Sequence, residues 1–174
     1  SKMMDVFYLY LIIGGMPEAV DVYLKTNDLA KVAEVHEKII RLYKTDFSKY
    51  EIRYKLKLQE IYDAMPGQLD QKNKRFQLNC IGKGMSYDRV ANDFLWLKDA
   101  GVVIPVYNIN EPKLPLVISE NRNLFKLFCS DVGLLTSRYS NQVKIAILNK
   151  DKAINNGALF ENAAAQELMA KGLK

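Results

Sequence analysis

Apolar residues recur every three to four positions through the first third of the chain, which is the spacing of amphipathic helices. Residues 3 to 13 read as a buried helix whose apolar run, Val6 to Ile13, is ended by Gly14-Gly15. Glycine tolerates the left-handed conformation found at helix C-termini. Pro17 suits the first turn of a second helix carrying Ala19, Val20, Val22, Tyr23 and Leu24. Asn27 or Asp28 can cap a third, in which Leu29, Val32, Val35, Ile39, Leu42, Tyr43 and Phe47 keep a helical period. A fourth, from about Glu51 to Ala64, is expected to stop before Pro66-Gly67.

From Gln68 the pattern changes. Ser86 can cap a helix through Tyr87, Val90, Phe94, Leu95 and Leu97, closed by Gly101. Val102 to Ile109 alternates like a strand, Asn110-Glu111-Pro112 supplies a turn, and Leu116 to Ser119 reads as the return strand. Helix followed by hairpin is the layout of a winged helix's third helix and wing. Residues 124 to 129 form a strand that can join this sheet, with Phe125, Leu127 and Cys129 on one face. Helices are expected at Asp131 to Arg138, Val143 to Leu148 and Gly157 to Lys171. The fold class is therefore mainly α with a small β-hairpin: an N-terminal helical bundle, a winged-helix-like unit and a C-terminal helix. The expected segments are 1–67, 68–140 and 141–174.

Composition changes this picture little. At 174 residues, about half apolar and a quarter charged, the chain can bury one good core or two small ones. No apolar run reaches the 18 or so residues of a membrane span, so no membrane partner is expected and a cytoplasmic location follows. There is no signal-peptide pattern and no initiating Met, so a longer parent is expected. Cys80 and Cys129 read as reduced core thiols. His36, the single histidine, is placed on the flank of a helix and has no cluster around it that would suit zinc.

Charge is more informative. From Lys49 to Gly84 eight basic residues stand against four acidic ones, an excess of four within a net +5. Lys72, Lys74, Arg75 and Lys83, with Phe76 among them, can contact a nucleic-acid backbone without reading bases. An ordinary solvated surface loop anchored by a core Phe76 is the favoured account of them. The helix after Ser86 offers Arg89, Asn92 and Lys98, but Asp88, Asp93 and Asp99 beside them disfavour sequence-specific reading. Trp96 and Phe94 are expected to pack inward, Trp96 against the wing strands.

No catalytic constellation stands out. Gly14-Gly15 lacks the spacing of a phosphate-binding loop and reads as a tight turn between helices. Lys126 and Asp131 could form a pair, but the simpler account makes Asp131 the cap of the following helix and Gly133 a close-packing residue.

Three stretches carry a family resemblance: Gly14-Gly15-Met16-Pro17-Glu18-Ala19-Val20, Phe125 to Leu135, and Gly157-Ala158-Leu159-Phe160-Glu161-Asn162 followed by Gln166-Glu167-Leu168. Gln68-Leu69, Lys74-Arg75-Phe76 and Trp96 to Gly101 fall in the same order. The pattern resembles the C-terminal region of prokaryotic AAA-type ATPases, where a domain of unknown function precedes a PD-(D/E)xK nuclease-like fold. The resemblance implies an upstream ATPase domain using ATP and magnesium, a downstream nuclease-like domain, and no cofactor within this fragment. Glu161 matches the first acidic position of the nuclease-like domain. The further Asp and the Glu-x-Lys that would hold magnesium would fall beyond Lys174, and Glu167 lies about 240° around the helix from Glu161. The expectation is a non-catalytic coupling module, with non-specific nucleic-acid binding as the alternative.

Overall fold

The computed structural model describes residues 2–49 and 52–172, with Ile52 and Arg53 given as backbone alone. Among the described residues it has α-helices α1 (Lys2–Ile13), α2 (Pro17–Thr26), α3 (Leu29–Phe47), α4 (Ile52–Asp70), α5 (Tyr87–Asp99), α6 (Val132–Thr136), α7 (Asn141–Leu148) and α8 (Gly157–Ala170). Strands β1 (Val103–Ile109) and β2 (Glu120–Cys129) form one antiparallel pair. The protein is thus mainly α with a small β-hairpin.

The chain divides into two compact units that cut across the three consecutive segments expected. One unit joins 1–46 to 129–174; the other is the intervening 47–128. The reason lies in α1, which packs on α6, α7 and α8, so the first helices share a core with the last ones.

In the discontinuous unit the helix boundaries have identifiable causes. Gly14 takes φ +74° and its N–H bonds the Tyr10 carbonyl, which stops α1. Asn27, left-handed at φ 50°, ends α2, and Asp28 opens α3 by accepting from the Ala30 N–H at 2.8 Å. Ile13, Ala19, Val32 and Val35 form the core between the first three helices, with Leu9, Val20 and Ile39 packed against it. Only the end of the Val6 to Ile13 run is buried: Leu11, Ile12 and Ile13 face inward while Val6 is exposed. His36 is not on a flank but 98 % covered.

In the 47–128 unit, α4 continues through Pro66 to Asp70 instead of stopping at Ala64. Proline there removes one i→i−4 hydrogen bond, yet the buried stripe Leu58, Ile61, Met65, Leu69 keeps its helical period across it. Tertiary burial overrides the local breaker. Glu51, expected to open this helix, lies outside the described residues. A 3-10 turn (Leu78–Ile81) leads to α5, whose N-cap Ser86 has extended backbone but makes no side-chain cap bond. At the other end Gly101, at φ +69°, donates to the Lys98 carbonyl and Val102 N–H donates to Leu97, a Schellman closure.

The return strand is not Leu116–Ser119. Those residues form a 3-10 turn closed by Ile118 N–H on the Pro115 carbonyl at 3.1 Å, and the strand begins at Glu120. Phe76 N–H bonds the Phe125 carbonyl at 2.9 Å, fixing the segment before the 3-10 turn to β2. The core is aromatic. Phe94 lies edge-on to Phe125 at 5.1 Å, Phe76 stacks on Phe125 at 5.7 Å, and Tyr87 lies parallel to Phe94 at 5.8 Å. Tyr107 meets Tyr87 and Phe125 from β1.

Trp96 is only half-buried, and its ring packs edge-on against Phe47 at 5.6 Å. It lies on a different face of α5 from Phe94, two positions and about 200° away. Phe94→Ala is therefore expected to cost about 3–5 kcal/mol, as loss of a fully buried ring does, and Trp96→Ala distinctly less. Urea unfolding of the two variants side by side tests this ordering.

Candidate functional site

The three motifs that stood out along the chain meet at one carboxylate. Asp131 follows β2, is 2 % exposed, and caps α6 by accepting from Leu134 N–H through Oδ1 at 3.1 Å. Its Oδ2 accepts from Gly15 N–H at 2.6 Å and from Gln166 Nε2 at 3.2 Å. Gln166 completes the link by taking the Val132 N–H on its Oε1 at 2.9 Å. The Gly14-Gly15 turn, the β2–α6 junction and α8 are thereby joined through a single side chain.

Close approach of backbones makes this possible. A Cβ on Gly133 would lie 2.5 Å from the Ile13 carbonyl oxygen, and one on Gly14 would collide with the Asp131 carboxylate. Neither position tolerates a side chain, the first by contact with backbone, the second by conformation as well. Around the carboxylate, other polar side chains also hold main chain. Asn162 accepts from Cys129 N–H at 2.8 Å and donates to the Cys129 carbonyl at 3.0 Å. Thr136 Oγ1 donates to the Leu11 carbonyl at 2.7 Å. His36 Nε2 lies 2.9 Å from the Ile13 carbonyl, and since a carbonyl only accepts, that nitrogen carries the proton.

Burial sets the acid–base behaviour here. It lowers the His36 pKa below the usual imidazole value, opposed by the bond to Ile13 and the charge of Asp131. Burial likewise pushes the Tyr10 hydroxyl up to about 12, helped by Glu167, to which that hydroxyl donates at 3.2 Å. The Cys129 thiol is raised to about 12 by the same cause. Such a thiol is a packing residue, not a nucleophile. Cys80, expected in the core, is exposed, and the two thiols are free.

Asp131 thus has both oxygens engaged by N–H donors, which fits a structural junction better than proton transfer. Lys126 lies on β2, half-buried. Glu161 is half-buried on α8, while Glu167 is exposed. Among the described residues no group of three His, Cys, Asp or Glu could hold a metal ion. Sequence reading placed Asp131 and Gly133 in their roles but missed His36, Asn162 and Gln166 as parts of the junction. The available signal was the i, i+3, i+4 spacing of Leu159, Asn162, Ala163 and Gln166, one face of α8.

The basic residues belong to the 47–128 unit. Lys72, Lys74 and Arg75 share the turn after α4, where Lys74 takes φ 49° and Arg75 N–H is held by Asn73 Oδ1. Lys83 sits on a separate turn between Gly82 and Met85. Lys72, Arg75 and Lys83 are exposed and Lys74 is half-buried. On α5, Asp88, Arg89, Asn92, Lys98 and Asp99 are exposed, but Asp93 is 3 % exposed and pairs with Lys57 at 3.4 Å. Burial raises the Asp93 pKa against the pull of Lys57. The outer face of α5 therefore carries two acids and two bases, not the net negative charge that counting its sequence suggests.

The model of one family, described as a domain of unknown function (DUF8612), matches residues 4–143. No curated protein and no solved structure matches the chain.

Two outcomes are expected at the junction. Gly133→Ala should destabilise by about 1–3 kcal/mol or more, because backbone must move to admit the methyl group. Asp131→Asn should cost roughly 1–3 kcal/mol, since an NH₂ group then faces N–H donors on one side. Denaturant midpoints measure both. His36 gives a pH signature. Its folded pKa is depressed, so the stability it contributes is present above about pH 6.5 and is lost as pH falls through the folded value. His36→Gln should flatten the fall in stability that the wild-type chain shows on acidification below about pH 6.5.

Proposed function

We propose that this chain, which belongs to the family of the domain of unknown function DUF8612, is a non-catalytic coupling module of a larger AAA-type ATPase. It relays between an ATPase domain and a downstream nuclease-like domain or partner. The observation that carries this reading is the engagement of Asp131. The polar residues of the three resembling motifs are used to tie α1, α6 and α8 together, through Gly15, Leu134 and Gln166. A displacement of α1 reaches α8 through direct hydrogen bonds across a buried carboxylate, the stiff connection that relaying requires. ATP and magnesium belong, on this reading, to the parent.

The parent reading frame is the first test, and a Walker A lysine with a Walker B acid should precede α1. A different upstream domain would overturn the assignment. In the parent, nucleotide should change amide-hydrogen exchange in α8, and Asp131→Ala should abolish that response while leaving ATP hydrolysis in place. An α8 response that survives the substitution would mean the junction is not the relay.

A second reading, a nucleic-acid-binding winged-helix module, is favoured by the charge of the 47–128 unit. That unit holds thirteen basic and nine acidic residues, four of the chain's five net positive charges. Its order of helix, 3-10 turn, helix, strand and strand also suits a winged helix. Withdrawal of Asp93 to Lys57 removes one repulsive charge from the outer face of α5. Replacing Lys72, Lys74, Arg75 and Lys83 by Ala should weaken duplex binding equally for every sequence and flatten its salt dependence. Absence of wild-type binding at low salt would remove this reading.

A further inference from the structure

Each unit buries an ionisable group, and the two groups respond to acid in opposite ways. In the discontinuous unit the group is His36 on α3, 2 % exposed, with its Nε2–H on the Ile13 carbonyl at 2.9 Å. That carbonyl belongs to the last residue of α1, and a Cβ on Gly133 of α6 would lie 2.5 Å from it. The imidazole therefore closes the point at which α1, α3 and α6 meet.

A second proton has to enter at Nδ1, and the ring is then a cation out of water. Two charges act on it. The Asp131 carboxylate favours the cation, but its oxygens already accept from Gly15, Leu134 and Gln166. Lys144 on α7 opposes the cation, and Glu37 on α3 offsets part of that ammonium's charge. α1 offers only the carbonyl that the neutral ring already uses. Burial outweighs the attraction of Asp131, so the closed unit holds the ring neutral and a ring released to water takes the proton more readily.

In the 47–128 unit the group is Asp93 on α5. Its side chain is 2 % exposed, with Oδ2 at 3.4 Å from Lys57 Nζ on α4, and Oδ1 is buried with no hydrogen-bond partner. The charge acting on it is that of Lys57. A proton on this carboxyl removes a buried charge that is only half satisfied, and Lys57 is open enough to turn its ammonium to water. Burial raises the folded pKa, so the contribution of Asp93 to stability grows as pH falls through the folded value, the reverse of His36.

We propose that the discontinuous unit is an acid-released latch: in mild acid, proton uptake at His36 frees α3 from the α1–α6 contact while the 47–128 unit stays closed. The inference does not depend on the AAA-type reading.

Amide hydrogen exchange of the 174-residue chain at about pH 7.5 and about pH 5.5, expressed as protection relative to unstructured chain at the same pH, tests it. Protection of α3, α6 and the last turn of α1 should fall severalfold, up to about tenfold, because an accessible imidazole titrates about one pH unit above the lower condition. Protection of α5 and β1 should hold. His36→Gln keeps an N–H donor for the Ile13 carbonyl but cannot take up the proton, and it should lose the selective response. Asp93→Asn, uncharged at both conditions, should keep it. The chain has one histidine, so the imidazole C–H NMR signals of the folded wild type follow this ring alone and should titrate below about pH 6.5. Equal loss of protection in both units overturns the proposal, as does no loss in α3. So does a selective loss that survives His36→Gln or disappears in Asp93→Asn, or a folded-state imidazole that titrates at or above about pH 6.5.

Discussion

One buried carboxylate determines how the discontinuous unit is assembled. Asp131 lies 116 residues from Gly15 and 35 from Gln166, and it accepts hydrogen bonds from both. Burying a carboxylate is unfavourable unless its oxygens are occupied, and here they are occupied by main-chain and amide N–H groups. The arrangement imposes strict conditions on its neighbours. Gly14 must stay left-handed, Gly133 must lack a Cβ because Ile13 comes so close, and Gln166 must face inward from α8. Three separated stretches of sequence are thereby constrained together by one interaction. This explains why the motifs most conspicuous along the chain carry few groups suited to chemistry.

The two units solve the problem of a small core differently. Each contains fewer than a hundred residues, a size at which buried apolar area leaves a narrow margin of stability. The 47–128 unit relies on large rings: Phe76, Tyr87, Phe94 and Phe125 meet at centroid distances between 5.1 and 5.8 Å. The other uses smaller aliphatic side chains and adds a polar junction through Asp131, Asn162, Thr136 and His36. Apolar contacts tolerate exchange among residues of similar volume, whereas a satisfied polar network specifies one arrangement.

Local features were legible in the sequence because they arise within a few residues of one another. The Gly14, Asp28, Gly101 and Asp131 helix boundaries each follow from a side chain or a φ preference acting within one turn. The errors fall where distant residues decide. Pro66 reads as a stop until the buried stripe from Leu58 to Leu69 carries α4 past it. His36 resembles a surface residue on a helix flank until the Ile13 carbonyl, 23 positions away, becomes its partner. Trp96 was expected against the wing strands, but the helical period turns it toward Phe47. Asp93 appears as one of three repulsive charges on α5 until Lys57 is placed beside it. The Leu116–Ser119 run alternates poorly and follows Pro115, both signals of a turn, although its apolar content reads as strand. The interleaved division of the chain was not legible, since no local pattern shows that α1 shares a core with α8.

That division has a consequence for how the structure forms. Long-range links in the 47–128 unit, such as Phe47 with Trp96 and Phe76 with Phe125, join residues about 50 positions apart. Those in the other unit reach from Leu11 to Thr136 and from Tyr10 to Glu167, separations of 125 and 157. Loop closure is entropically unfavourable and grows with the length of flexible chain enclosed. Once residues 47–128 are folded, that enclosed segment is no longer flexible, and the closure required to bring α1 to α6 is correspondingly reduced. The physical expectation is that the inserted unit forms first and the Asp131 junction last. The junction would then be the part most readily opened without disturbing the aromatic core, because its contacts depend on closure that the other unit does not need. On the coupling role proposed, the closed junction transmits displacement from α1 to α8, and its opening would disconnect the two while the aromatic core stays intact.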